Sequence, residues 1–333
     1  MDLRKSIAFA GLALLAVAAP AAAADKVRFG TNWRAEAEHG GFYQAAVDGT
    51  YAQYGLDVTI VPGGPQANNL ALLLADRIDF AMGLNLIQAF EAVRENVPFV
   101  VVAAEFQKDP MALLSHPGVG LDRWSDLPKA TAFVGEEALV SVYQWLRDAY
   151  GFRDANVKPY VFNISPFLAD KGSILLGYVT SEPYEIEKKG GFKPNVFLLA
   201  DHGYSTYSTT IVTRRDTIDT NPDLVRRFVD ASAIGWRHYL YGDNTQANAA
   251  IKTANPDITD GEIAYSIAKM KQYGIVDSGD ALTMGIGAMT DARVQDFYDK
   301  MVKAGVVKAG LDVKKAYTLQ FVDRGVGADP QPK

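Results

Sequence analysis

Polar and apolar residues alternate along Lys26-Val27-Arg28-Phe29-Gly30 and again along Leu56-Asp57-Val58-Thr59-Ile60-Val61, the two-residue period of a half-buried strand. Between them Phe42, Ala45 and Ala46 recur at helical spacing, a helix is predicted to continue to Tyr54, and Gly55 is placed to cap it. An apolar helix over Gln66 to Leu74 and a strand over Arg77 to Met82 follow. This is βαβαβ order, the unit that builds parallel sheets. Further strands are predicted at Val97 to Ala104, Met111 to Leu114, Thr131 to Val134, Val157 to Phe162, Ile174 to Val179, Val196 to Ala200 and Thr210 to Thr213, with a helix over Ala138 to Tyr150 closed by Gly151. Beyond Thr213 the pattern turns helical, with Asn221-Pro222-Asp223 and Asn255-Pro256-Asp257 as capping signals.

Polar runs interrupt this pattern twice, at Glu105 to Pro110 and at Asp201 to Thr209. Each reads as a crossing between two lobes. The expected organisation is therefore 25–104 as the first part of lobe one, 105–204 as lobe two, and 205–333 as the return to lobe one with the C-terminal helices. About 300 residues is long for a single hydrophobic core, which agrees with two lobes.

The strand ends carry the candidate chemistry, because ligands of open α/β folds collect beyond the carboxyl ends of strands. The loop Trp33 to Gly41 supplies Trp33, Glu36 and His39, and its Gly40-Gly41 pair would let backbone approach a flat solute. Gly63-Gly64 could offer backbone N–H groups, and Asn85 closes the small and polar cluster Gly83 to Asn85 after the third strand. In the second half, Gly135-Glu136-Glu137 repeats the order strand, glycine, acid, helix, with Tyr143 farther along that helix. Thr180-Ser181-Glu182-Pro183-Tyr184 places an acceptor beside an aromatic surface. Each has a plain alternative: Trp33 as a core anchor, the glycines as tight turns, and the acids as partners of a helix dipole.

Composition narrows the chemistry. The first residues have the form of an export leader, with Arg4 and Lys5, an apolar run from Ile7 to Ala19 and Ala22-Ala23-Ala24 before Asp25. Its removal at residue 24 would leave 31 basic and 38 acidic residues, a charge of −7, which argues against nucleic acid as a partner. The chain has no cysteine, and His39, His116, His202 and His238 lack zinc-site spacing. No GxSxG elbow, triad pattern or nucleotide motif stands out, so neither catalytic residues nor a metal or cofactor are expected. A soluble periplasmic monomer is the expectation.

A resemblance carries this further. NWRAEAEHGGFYQA at 32–45, YGLDVTIVPGGPQ at 54–66, DRIDFAMG at 76–83, GYVTSEPYEIEKKGG at 177–191 and NPDLVRRFVDAS at 221–232 resemble periplasmic substrate-binding proteins of ABC importers. The group includes binders of thiamine pyrimidine precursors and of nitrate, sulfonates and taurine. The resemblance implies a type II two-lobe clamshell, each lobe a mostly parallel sheet flanked by helices, with the solute held between them and passed to an inner-membrane permease. In the pyrimidine-precursor branch, a tryptophan after the first strand and a histidine before a glycine match Trp33 and His39. Fungal pyrimidine synthases of the same fold carry a cysteine-rich segment that this chain lacks. Among the candidate loops Arg34 is the sole cation, set against Glu36, Glu38, Glu136, Glu137 and Glu182. Such a cleft disfavours an anion and suits an amino-bearing planar ring stacked on Trp33, Tyr143 or Tyr184. A sulfonate or nitrate binder, and an enzyme acting on a pyrimidine, are the alternatives.

Overall fold

Ten strands form two five-stranded sheets in the computed structural model, which describes residues 23–64 and 67–328. Most of the predicted leader, residues 1–22, lies outside the described residues, as do Pro65 and Gln66. The first sheet is built from β1 (Asp25–Gly30), β2 (Leu56–Val61), β3 (Phe80–Asn85), β4 (Phe99–Phe106) and, much later in the chain, β10 (Ser208–Arg214), in the order β2-β1-β3-β10-β4. The second holds β5 (Met111–Ser115), β6 (Thr131–Val134), β7 (Val157–Pro159), β8 (Ser173–Tyr178) and β9 (Asn195–Leu198), in the order β7-β6-β8-β5-β9. In each sheet one strand runs against its neighbours: β10 between β3 and β4, and β5 between β8 and β9. The remaining pairings are parallel. The α/β two-lobe class expected from the sequence is the class observed.

The strand alternation sets the faces. In β1, Val27 and Phe29 are buried while Lys26 and Arg28 are not. Phe29 meets Phe42 and Phe228, and Phe228 stacks on Phe80 at 4.2 Å. The long helix Pro222–Tyr241 is thereby fixed against the first sheet. β4 is buried throughout although it stands at the edge of its sheet, because Tyr317 and Gly287 bridge to Val101 and Ala104 there.

Some predicted boundaries move. The helix expected to run unbroken to Tyr54 divides into Gly40–Val47 and Thr50–Gln53, because Gly49 is left-handed and the Asp48 side chain accepts from the Thr50 N–H at 2.9 Å. The third strand begins three residues later than predicted. The helix Leu86–Arg94, capped by Asn85, completes that unit. Glu105 and Phe106 belong to β4, extended by pairing of Phe106 with Ser208. Predicted strand residues Tyr160 to Phe162 lie beyond β7, whose partner β6 ends at Val134 opposite Pro159.

The chain passes between the sheets from β4 to β5 through Gln107–Pro110 and from β9 to β10 through Leu199–Tyr207. Arg293, on the helix Asp291–Lys303, ties the two passages together. Its Nε donates to the Ser205 carbonyl (3.0 Å), its Nη2 to the carbonyls of Thr206 (3.2 Å) and Gln107, and its guanidinium lies 4.0 Å from the Tyr207 ring centre. Gln107 in turn donates to the Ala288 carbonyl at 2.8 Å.

Candidate functional site

A small cleft, partly open to solvent, lies where the carboxyl ends of β1, β3 and β8 meet the two passages. Asn32, Glu36 and Glu38 come from the loop after β1, Met82 and Leu84 from β3, Phe106 from β4, and Ser208 and Thr209 from the start of β10. Tyr178 of β8 and Pro110, the last residue of the first passage, close it from the opposite side. No lysine or arginine is among the lining residues. Two features mark it as more than a packing fault. The Ser208 hydroxyl is buried there without a hydrogen-bond partner, and buried polar groups are rarely left so. Thr209 holds a left-handed backbone at φ 46°, a conformation that costs a threonine about 1 kcal/mol or more.

The loop after β1 is held rigid from behind. Gly63 donates its N–H to the Trp33 carbonyl (3.0 Å) and the Thr31 hydroxyl (3.2 Å), and a Cβ there would stand 2.4 Å from the Thr31 carbonyl oxygen. The Asn69 side chain donates to the same carbonyl. His39 is fully buried, and burial pushes its pKa down to about 3, so the ring is neutral. Its Nε2 lies 3.1 Å from Asn32 Oδ1 and 3.7 Å from the Glu36 carboxylate. His39 therefore stands behind the cleft, where it orients Asn32.

The acids differ in what holds them. Glu182, first residue of the helix Glu182–Gly190, accepts from the Tyr178 N–H (2.7 Å), the Ser181 hydroxyl (2.6 Å) and the Tyr160 hydroxyl (3.1 Å). Gly177 makes room for it, since a Cβ there would meet the Glu182 carboxyl carbon at 2.7 Å. Among the described residues no hydrogen-bond donor is recorded at the Glu36 carboxyl. Burial first, then the charges of Glu38, Glu182 and Glu262, raise Glu36 well above the usual carboxyl range. Glu38 is also raised by burial, and burial raises Glu182 despite its three donors. Four acids gathered without a cation among the lining residues cannot all ionise cheaply, so protons are retained in the group.

Several sequence candidates sit elsewhere. Tyr143 is in the core of the second lobe, its hydroxyl donating to the Arg153 carbonyl at 3.1 Å; it is no stacking wall. Tyr184 lies against the helix Asp260–Tyr273, beside Gly261 and 5.5 Å from the Tyr265 ring. Asn85 spends its side-chain oxygen on capping, 3.0 Å from the Ile87 N–H. The Gly63 N–H is used internally, and Gly64 borders Arg34. Glu136 is exposed at the start of a four-residue helix. Gly40 and Gly41 face helix rather than solute: a Cβ on Gly41 would fall 2.3 Å from the Trp236 ring, and one on Gly40 2.0 Å from Tyr239. Trp33 is half-buried, its ring 5.4 Å from that of Phe162 on the other lobe. Sequence reading overlooked Asn32, Tyr160, Phe162, Tyr178, Ser208 and Thr209. Asn32 adjoins a chosen residue and was findable; the others arrive through pairing between distant segments.

The NMT1/THI5-like family model matches residues 36–245, well over half of the chain. The chain belongs to that family. It is 25% identical over 295 residues to the riboflavin-binding protein RibY of Chloroflexus aurantiacus, covering 85% of this chain and 82% of the relative. Among solved structures, the periplasmic aliphatic sulphonate binding protein SsuA of Escherichia coli superposes with a TM-score of 0.64 at 12% identity, over 88% of this chain and 91% of that one. The desulfurization enzyme DSZB superposes with a TM-score of 0.57 at 10% identity, over 89% and 97%. The family thus shares its two-lobe fold with a binding protein and with an enzyme, and the use of the cleft must be argued from its residues.

Proposed function

We propose that this chain is the periplasmic solute-binding component of an ABC importer, which captures an amino-bearing planar N-heterocycle between its lobes and delivers it to a membrane permease. The observation that carries the reading is the Glu36 carboxyl, set in the cleft wall with no donor recorded to it among the described residues and no lysine or arginine among the lining residues. A protonated carboxyl offers one O–H donor and one C=O acceptor side by side. That pair matches a ring nitrogen and the adjacent amino group of an aminopyrimidine or a related ring. The Ser208 hydroxyl is a further polar contact for the solute, and Trp33 is a surface on which to stack it. The name of the RibY relative supports the class, since riboflavin is a planar N-heterocycle.

The acids also weigh against a sulfonate or nitrate, the reading that likeness to the SsuA structure would favour. The expected mature protein starts at Asp25 and acts as a monomer without nucleic acid, the lobes 25–104 with 205–333 and 105–204 turning about the passages. A thermal-shift panel of 4-amino-2-methylpyrimidine, riboflavin, taurine and nitrate tests the reading. A rise in Tm with either ring compound, and none with the anions, is expected; the reverse pattern overturns it. Chemical change of a bound ring on incubation would move the protein to the enzyme class.

A further inference from the structure

Phe162 breaks two local rules at once. It is 69% exposed, although a phenylalanine gains by burial. It also holds a left-handed backbone at φ 59°, which is unfavourable for any side chain that bears a Cβ. Where both occur at one residue beside a cleft, the surrounding structure holds the ring out for a purpose. The surroundings here are specific. The Phe162 ring lies 5.5 Å from Tyr160, whose hydroxyl binds Glu182; Glu182 binds the N–H of Tyr178, a cleft-wall residue. On its other side Phe162 meets Trp33 of the first lobe at 5.4 Å with a 38° tilt, and Trp33 adjoins Asn32 of the cleft wall. These contacts close a circuit around the mouth of the cleft, with polar groups at its depth and two rings from opposite lobes at its edge. Val161, beside Phe162, is 74% exposed, so the apolar edge continues past the ring.

We infer that Trp33 and Phe162 form a two-lobe aromatic clamp for a second ring of the solute, so that the preferred ligand is a fused or extended amino-heterocycle rather than a lone pyrimidine. This rests on the function proposed above and adds a specificity determinant to it. A ring gripped on both faces needs about 7 Å between the gripping planes, two contacts of about 3.5 Å. The pair would therefore part slightly to admit it, a displacement that rotation about the two passages can supply. Because one ring stands on each lobe, the clamp is complete only when the lobes are together, and a solute that reaches it couples its own binding to their approach.

The test compares 2,4-diaminopyrimidine with 2,4-diaminopteridine, which carries the same amino head fused to a second ring, by calorimetry and by quenching of tryptophan fluorescence. The wild-type protein is expected to bind the pteridine about tenfold tighter or better. Phe162→Ala should remove that advantage, bringing the pteridine down to the affinity of the pyrimidine, and Phe162→Tyr should restore it. Equal affinities for the two compounds in the wild type, or an advantage that survives Phe162→Ala, overturn the clamp while the amino-heterocycle reading stands. Binding of neither compound by folded protein removes both.

Discussion

Two rims face each other across the cleft. Each sets an acid just beyond a strand and ahead of a helix, yet they are held in opposite ways. The rim of the second lobe is organised from within: Glu182 gathers the Tyr178 N–H, the Ser181 hydroxyl and the Tyr160 hydroxyl, and Gly177 clears space for it. The rim of the first lobe is organised from behind. Gly40, Gly41 and Gly63 admit the Tyr239 ring, the Trp236 ring and the Thr31 carbonyl at distances no Cβ would tolerate, and among the described residues no donor is recorded at Glu36. The same local order of residues thus gives a structural acid on one side and an idle one on the other. An acid becomes available to a ligand when other elements carry the job of holding its loop.

The largest effect expected from this contrast is on stability. Gly41→Ala drives a methyl into the Trp236 ring, and overpacking of this kind costs about 1–3 kcal/mol or more; a lowered urea midpoint with unchanged slope would show it. If Gly41 instead served a solute, affinity would fall and the midpoint would not. Glu182→Ala leaves donors at the second rim without their acceptor, at about 1–3 kcal/mol, and should lower Tm and affinity together. Glu36→Ala should weaken ring binding about tenfold or more, the worth of a pair of neutral hydrogen bonds, with Tm held. Glu36→Gln keeps a donor beside an acceptor and should retain most of the affinity. Equal losses in Glu36→Ala and Glu182→Ala, in affinity and Tm alike, would dissolve the distinction between the rims.

The smallest effect is a slope. Glu105 on β4 is fully buried with neither carboxylate oxygen partnered, and burial pushes it up to about 8; Asp109, in the first passage, is pushed up to about 6. Both bind protons more tightly in the folded chain than in the unfolded one. Their contribution is therefore greatest at acid pH and is lost as pH rises from the ordinary carboxyl range, to about 6 for Asp109 and about 8 for Glu105. Tm should be higher at pH 5.5 than at pH 8, and Glu105→Gln, which cannot ionise, should flatten that slope. A slope unchanged in the variant would assign it to the cleft acids.

Period and punctuation carried the fold: alternation located β1 and β2, apolar runs located β6 and β8, each within a residue or so, and the polar runs overlap the two stretches that pass between the sheets. They carried less of the cleft. Tyr143 looked available because it follows Gly135 on a helix, yet Val142, Tyr143, Trp145 and Leu146 are the buried positions of that helix. The paired glycines suggested closeness to something; only the fold says that the something is Trp236 and Tyr239. Phe162 read as a strand residue because nothing local reveals that an edge strand stops at Pro159. Ser208 and Thr209 reach the cleft only because β10 returns across about a hundred residues to insert between β3 and β4.

That return has a consequence for the order of assembly. As the chain emerges from its first residue onward, the second lobe is a contiguous stretch and can fold as soon as β9 is available. The first sheet lacks an inner strand until Arg214 has appeared, and the guanidinium that fastens both connections arrives later still, with Arg293. A ribosome stalled before β10 would therefore carry one finished half attached to an incomplete partner.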